Sequence, residues 1–241
     1  MHLSRKYGTW LMLGSILFLF TACKSRPTMG PVPTMDLLSV FRQMPASLRE
    51  NPFGEKSGLE LTPAQMDQLI STREVVVSDD CMWELAFQDS AQNHLQADRL
   101  RSEEGLQYGL LKLKGKKNSE WVLITQRMDD HCCSYARWAL FEVQNGELID
   151  RTEGRIPNLN WTDFYSEDVF GKGGRPEGFQ DNVYPISIEL RSNPPSIQIG
   201  LVADYIDLSF SNDISTPMLE HLPKEPKILV WEDEKFVWHK R

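Results

Sequence analysis

The chain has 241 residues, of which 41% are hydrophobic, so it can build an ordinary core in one domain or in two small ones. Its 34 acidic side chains outnumber its 26 basic ones, and the net charge is −8 with histidine neutral. Because nucleic-acid binding needs a basic footprint, this balance argues against DNA or RNA as a partner.

Residues 1–22 are predicted to be a signal peptide. The basic pair Arg5-Lys6 precedes an apolar stretch from Trp10 to Phe20. That stretch is about half the roughly 20 residues that a spanning helix needs, which is typical of a secretory signal and not of a permanent anchor. The stretch ends in Phe20-Thr21-Ala22-Cys23, which is similar to the lipobox of bacterial lipoproteins with Phe in place of the usual Leu.

This resemblance implies cleavage before Cys23 and a lipid on its sulfur, often with a third acyl chain on its amine. Two or three chains anchor a protein stably, since each buried methylene contributes about 0.8 kcal/mol. Lys24 is not the aspartate that retains enteric lipoproteins at the inner membrane, so the resemblance implies the outer membrane, in either leaflet. Residues 23–33 contain three prolines and are predicted to be a tether. Without residues 1–22 the chain keeps 24 basic and 34 acidic side chains, a net charge of −10.

Two helices are predicted after the tether. The segment from Thr34 to Met44 has apolar residues at helical spacing, a threonine that can cap and an aspartate in its first turn, and Pro45 ends it. Thr62-Pro63-Ala64-Gln65 combines an N-cap, a proline at the first helical position and the glutamine of a capping box. This pattern predicts a second helix that ends near Thr72.

After these helices the period changes from helical to two. Cys81–Phe87 alternates with its apolar face on the odd numbers, as a half-buried strand does. Further strands are predicted near residues 94–100, 108–114, 121–128, 135–143, 147–151, 186–191, 197–202, 228–231 and 236–238. Asn145-Gly146 favours a type I′ hairpin turn. The expected class is α+β, with N-terminal helices followed by a mostly antiparallel, hairpin-rich β-sheet in a single domain over residues 34–241. A subdivision near residue 155 is the alternative.

Three cysteines remain once Cys23 carries lipid, an odd number in an oxidising compartment. Cys81 and Cys133 share the parity of the apolar residues in their strands, so a disulfide between them is predicted, with a stabilisation of up to about 4 kcal/mol. Cys132 is the alternative partner of Cys81. A strained bond between the adjacent Cys132 and Cys133 is the third arrangement.

The segment Met128–Ser134 is the densest cluster of reactive side chains. A Cys133 nucleophile with His131 as its base is conceivable, but no orienting asparagine accompanies them, so no catalytic residue is predicted. Asp79-Asp80 and Asp129-Asp130 are candidate calcium ligands, because the predicted disulfide would bring the two pairs together. Two solvated acidic turns explain the same pattern without a metal. C-x-x-C pairs and phosphate-binding loops are absent from the sequence, and no bound metal or cofactor is expected.

The segment Phe41-Arg42-Gln43-Met44-Pro45-Ala46-Ser47-Leu48 resembles the opening of an uncharacterised family of secreted Bacteroidales proteins. In that family paired strands around a cysteine and terminal strands rich in aromatic residues follow, and residues 121–141 and 228–238 correspond to them here. The resemblance implies an envelope address and a single α+β domain, with no known activity.

The sequence therefore predicts a non-enzymatic, lipid-anchored envelope protein that binds or scaffolds a protein or glycan partner. Its tryptophans lie mostly in strand patterns and are expected in the core, although Trp231, Phe236 and Trp238 suit the lining of a groove. The alternative is an envelope hydrolase or metal-dependent enzyme whose site is assembled from residues distant in sequence.

Overall fold

The computed structural model describes residues 36–49, 61–89, 91–100, 105–130, 133–166, 168–169, 186–204, 206 and 212–239. Cys23, the signal peptide and the tether lie outside the described residues. The described residues contain four short α-helices with defined bounds: α1 (Leu37–Arg42), α2 (Ala46–Arg49), α3 (Pro63–Thr72) and α4 (Asn212–Glu220). None of the helices in the described ranges is long and apolar enough to cross a membrane.

Eleven described strands form two antiparallel sheets, and in each sheet the strands follow one another in chain order. The large sheet contains β1 (Glu74–Ser78), β2 (Cys81–Phe87), β3 (His94–Leu100), β4 (Gly105–Lys114), β5 (Glu120–Asp130), β6 (Cys133–Gln144) and β7 (Glu147–Asp150). The small sheet contains β8 (Ile186–Ser192), β9 (Pro195–Leu201), β10 (Lys227–Glu232) and β11 (Lys235–Trp238). At most six residues separate consecutive strands of each sheet, except before β10, where α4 intervenes.

The predicted α+β class, with N-terminal helices followed by one antiparallel sheet, is wrong. The protein is mostly antiparallel β-structure in two sheets, and its helices are few and short. The hairpins after residue 186 do not extend the large sheet. They form the separate small sheet, which covers part of one face of the large one.

The reason for a second sheet lies in β4 and β5, which are apolar on both faces. Leu110 and Ile124 belong to one buried cluster, together with α1, α2 and α3. Their neighbours Leu111 and Leu123 belong to a second buried cluster, together with the small sheet. Since adjacent residues of a strand point to opposite faces, each face needs a covering layer. The helices supply one layer and the small sheet supplies the other.

Local signals set the helix boundaries. The predicted capping box of α3 is confirmed: Thr62 Oγ1 accepts from the Gln65 backbone N–H at 3.3 Å, and Gln65 Oε1 accepts from the Thr62 N–H at 2.9 Å. Asp36 is the cap of α1, with its carboxylate accepting from the Ser39 N–H at 2.9 Å. Thr34, which the sequence suggests as that cap, lies outside the described residues.

The turn between β10 and β11 fastens the small sheet to the large one. Glu234 Oε1 accepts hydrogen bonds from the Lys116 N–H at 2.8 Å and from Ser119 Oγ at 2.9 Å. Trp231 Nε1 donates to the Lys114 carbonyl at 2.8 Å. The Arg155 guanidinium donates to the Glu234 carbonyl at 2.7 Å. These contacts hold β10 and β11 against the large sheet.

Candidate functional site

Strand β8 lies across the second face of the large sheet and is an edge strand of the small sheet. Its closest approach is over Gly109 of β4. A Cβ atom at position 109 would lie 2.8 Å from Leu190 Cδ1 and 2.7 Å from Thr125 Oγ1, distances that real Cβ atoms do not tolerate. The missing side chain therefore lets the two sheets meet, and a groove opens beside this contact.

This interstrand groove has two neighbouring compartments of about 400 Å³ and about 220 Å³. The compartments share part of their lining, and the larger one falls in the range of small-molecule sites. The groove is lined by Gln88, His94, Gln96, Gln107, Gly109, Thr125 and the β8 segment 188–193. Most of these side chains are polar, and they come from strands of both sheets.

A row of paired polar side chains forms the floor. Gln96 is opposite Gly109, and Asp98 is opposite Gln107, so all four residues point to the same face of the sheet. Asp98 accepts hydrogen bonds from Gln96 Nε2 at 2.8 Å and from Gln107 Nε2 at 2.7 Å. An ionised carboxylate only accepts, so Asp98 fixes both amides with their nitrogens inward. Among the described residues, none donates to the Oε1 atoms of these glutamines.

His94 forms the buried end of the groove, with 9% of its surface exposed. Burial lowers the pKa of His94, and the negative charges of Asp89 and Glu189 offset this only in part. The imidazole is therefore neutral near pH 7, with one nitrogen that donates and one that accepts. No hydrogen bond joins its imidazole to a hydroxyl or thiol of the described residues.

Asp89 holds the loop that positions His94. Its carboxylate accepts from the Asn93 N–H at 2.7 Å and from the His94 N–H at 3.3 Å. Partial burial raises the pKa of Asp89, but hydrogen bonds from the Ser192 side chain and from these two amides outweigh it and leave the pKa lowered. The hydrogen bond to Ser192 also links this loop to the end of β8, so both walls of the groove are braced against each other.

The predicted cysteine pair is not brought together by the sheet order. Cys81 begins β2 and carries a free thiol, whereas Cys133 begins β6 and its side chain lies outside the described residues. Both strands start at the same end of the sheet but are separated by four interstrand spacings, or about 19 Å at about 4.8 Å each. The Cα atoms of a disulfide lie within about 7 Å of each other.

The predicted calcium ligands are also apart. Asp79 and Asp80 form the exposed turn between β1 and β2. Asp129 and Asp130 end β5, three spacings or about 14 Å from β2, and their side chains lie outside the described residues. The described residues contain no group of three or more His, Cys, Asp or Glu arranged to hold a metal ion. His131 and Cys132 lie outside the described residues.

The groove residues were not identified from the sequence, although the polar face of β3 is visible in the sequence. In β3, polar residues occupy the even positions His94, Gln96 and Asp98, while Leu95 and Ala97 are buried on the other face. An uninterrupted polar face on an otherwise central strand indicates a surface or a cavity. The contribution of β8 had no such signal, because it depends on which strands the small sheet covers.

Comparison with known proteins gives a likeness of fold. No family model matches this chain, and no curated protein matches it. A solved structure, that of a domain of an uncharacterised protein from Porphyromonas gingivalis W83, matches with a TM-score of 0.51 and 12% identity. The match covers 85% of this chain and 98% of that domain, so it shows a shared fold. Since that organism belongs to the Bacteroidales, the match is consistent with the resemblance noted in the sequence.

Proposed function

We infer that this protein is a lipid-anchored protein of the outer membrane whose interstrand groove binds an uncharged glycan without transforming it. The signal-like sequence around Cys23 supports the location, and the groove supports the binding role. The observation that carries the proposal is the row in which Asp98 orients Gln96 and Gln107 on one face of the sheet.

The chemistry of this row suits hydroxyl groups. A sugar hydroxyl both donates and accepts, so it can donate to the glutamine Oε1 atoms and exchange hydrogen bonds with the neutral imidazole of His94. Because Asp98 holds both amides before a ligand arrives, little side-chain entropy is lost on binding. Such preorganised polar groups in a concave site favour a defined small ligand over a broad protein surface.

The charges around the groove indicate that the ligand is uncharged. Asp89, Asp98 and Glu189 lie in or beside the lining, and Arg191 is the cationic side chain among the lining residues. The mature chain is strongly acidic as well, with a predicted net charge of −10. An anionic glycan would approach against this field, whereas a neutral one pays no such penalty.

A glycan array tests the binding role. The mature lipoprotein, solubilised in detergent, should bind neutral oligosaccharides reproducibly. Gln96→Ala/Gln107→Ala should weaken that binding by about fivefold or more, because two hydrogen bonds worth roughly 0.5–1.5 kcal/mol each are lost. Gln68→Ala is the matched control, since Gln68 is an exposed glutamine on α3, which covers the other face of the large sheet.

Two outcomes would contradict this proposal. If the double variant retains full binding, the groove is not the binding site. If no glycan binds, glycans are not the ligand. Release of a cleaved glycan would instead favour the hydrolase alternative.

The anchoring is tested separately. Cys23→Ser should abolish incorporation of labelled palmitate and release the protein from the membrane fraction. Palmitate labelling that survives this substitution would contradict lipidation at Cys23.

A further inference from the structure

A second cavity lies at the opposite end of the small sheet, where α4 ends, β10 begins and β11 ends. This terminal-strand pocket has a volume of about 430 Å³. Four basic side chains line it: His221, Lys224, Lys227 and His239. Glu225 is the acidic residue among the lining residues, and Phe164 contributes a buried apolar wall.

The backbone that carries these side chains is held in place. The His221 N–H donates to the Pro217 carbonyl at 3.2 Å, which fixes His221 at the end of α4. The His239 N–H donates to the Ile228 carbonyl at 2.8 Å, which fixes His239 beside β10. Pro223 and Pro226 bracket Lys224, and each proline ring restricts its own backbone torsion. The basic groups are therefore presented by anchored chain segments.

The lining of the pocket is mainly basic, although the chain as a whole is acidic. It holds Lys224 and Lys227 against the single acid Glu225, and His221 and His239 are further basic groups. Two further acids flank the pocket. The Asp163 carboxylate accepts from the Asn160 N–H at 2.7 Å, and Asp168 is hydrogen-bonded to Ser166. Asp163 also interacts electrostatically with Lys227, and Asp168 with His221, so both carboxylates offset part of the positive charge of the lining.

We propose that the terminal-strand pocket binds a phosphomonoester. Lysine is an effective phosphate ligand because it is a compact point charge. The ordinary pKa of histidine, about 6.5, is close to the pKa of about 6 at which a phosphomonoester gains its second negative charge. The volume leaves room for a compact group attached to the phosphate, against the wall formed by Phe164. Two sources offer this chemistry: a soluble sugar phosphate, and the head group of a lipid such as phosphatidate in the membrane to which the chain is predicted to be tethered.

Nuclear magnetic resonance titration of the detergent-solubilised mature protein tests the site. Glucose 1-phosphate and dihexanoyl phosphatidate are the probes, with glucose as the uncharged reference. Saturable shifts at residues 221–228 and 239 are expected for at least one phosphate and not for glucose. Tighter binding of the sugar phosphate assigns the soluble source, and tighter binding of the phosphatidate assigns the lipid source.

Charge variants distinguish specific binding in the pocket from nonspecific attraction to surface lysines. Lys224→Gln/Lys227→Gln should weaken binding by about tenfold or more. Lys114→Gln/Lys235→Gln removes two exposed lysines elsewhere and should leave it unchanged. Equal loss in both pairs, or no saturable binding of either phosphate, would overturn the proposal.

The histidines give a second, independent readout. Sulfate stays doubly charged from pH 8 to about pH 6, so any change in its affinity over that range reports on the protein. Sulfate should bind more tightly at the lower pH if the two histidines of the lining add positive charge to the site. His221→Gln/His239→Gln should remove this dependence, and a dependence that persists in that variant would contradict their role.

Discussion

Replacing Gly109 with alanine tests how the two sheets meet. The added methyl group would lie 2.8 Å from Leu190 Cδ1 and 2.7 Å from Thr125 Oγ1, so β8 or its neighbours must move. Overpacking of this kind costs about 1–3 kcal/mol. Alanine also restricts the unfolded chain and returns about 0.4–1 kcal/mol. The net expectation is a destabilisation of up to about 2.6 kcal/mol, which corresponds to a fall in Tm of up to roughly 10 °C for a domain of this size.

The stability change of Gly109→Ala, measured with and without the Leu190 side chain, tests whether β8 packs on β4. Without β8 above it, the added methyl group would meet only Thr125 Oγ1 of the neighbouring strand, so Gly109→Ala should cost clearly less than it does beneath Leu190. Thermal and urea unfolding of wild type, Gly109→Ala, Leu190→Ala and the double variant form a double-mutant cycle. The double variant should lose less stability than the sum of the single losses, since removing the Leu190 side chain makes room for the methyl group. A stabilising Gly109→Ala with additive energies would refute the packing of β8 on β4.

Three further substitutions probe other contacts. Tyr108→Phe removes the acceptor of the buried Gln126 Nε2, 3.0 Å away, and urea unfolding should show a loss of about 1–3 kcal/mol. Trp231→Phe removes the hydrogen bond to the Lys114 carbonyl and should cost about 1 kcal/mol in the same assay. Burial lowers the pKa of His94 in the folded protein, so the unfolded chain binds a proton at this imidazole at a higher pH than the folded chain does. The free energy of unfolding of the wild type should therefore fall as the pH drops below about 6.5 toward the lowered pKa of the folded state. His94→Gln should reduce that slope in unfolding curves measured between about pH 7 and pH 5.5, and an unchanged slope would contradict the assignment.

Signals that act over a few residues were readable from the sequence. The capping box at Thr62–Gln65 is formed, and Asn145 and Gly146 both have the positive φ that a type I′ turn requires. The odd-numbered apolar face of β2 is also observed, with Trp83 and Leu85 buried. In each case the physical cause lies within one turn or one strand, so distant parts of the chain do not change it.

The division into two sheets was not predicted, although β4 and β5 contained the relevant signal. Their consecutive apolar residues, Leu110-Leu111 and Trp121–Ile124, are typical of strands buried on both faces. The hydrophobic effect is non-directional, however. The pattern therefore indicates that a second layer covers these strands, but it does not identify the strands that form this layer. For the same reason the groove could not be predicted: Gly109 and Leu190 meet only because the small sheet covers that part of β4.

The cysteine prediction shows the limit of parity arguments. Cys81 and Cys133 share a face pattern within their own strands, but parity gives no information on the distance across the sheet. Non-reducing peptide mass spectrometry tests the predicted bond directly. The four-strand separation leads us to expect Cys81 as a free thiol, and a crosslinked Cys81–Cys133 peptide would contradict this sheet order.

The groove as a glycan site is tested most directly by following the side-chain amide resonances of its two glutamines. A neutral oligosaccharide selected on the array should shift the Nε2 resonances of Gln96 and Gln107 in a saturable way, with the same dissociation constant as its binding to the whole protein. Backbone shifts should cluster along β3, β4 and β8. Saturable binding that leaves both amides unshifted would contradict the proposed function.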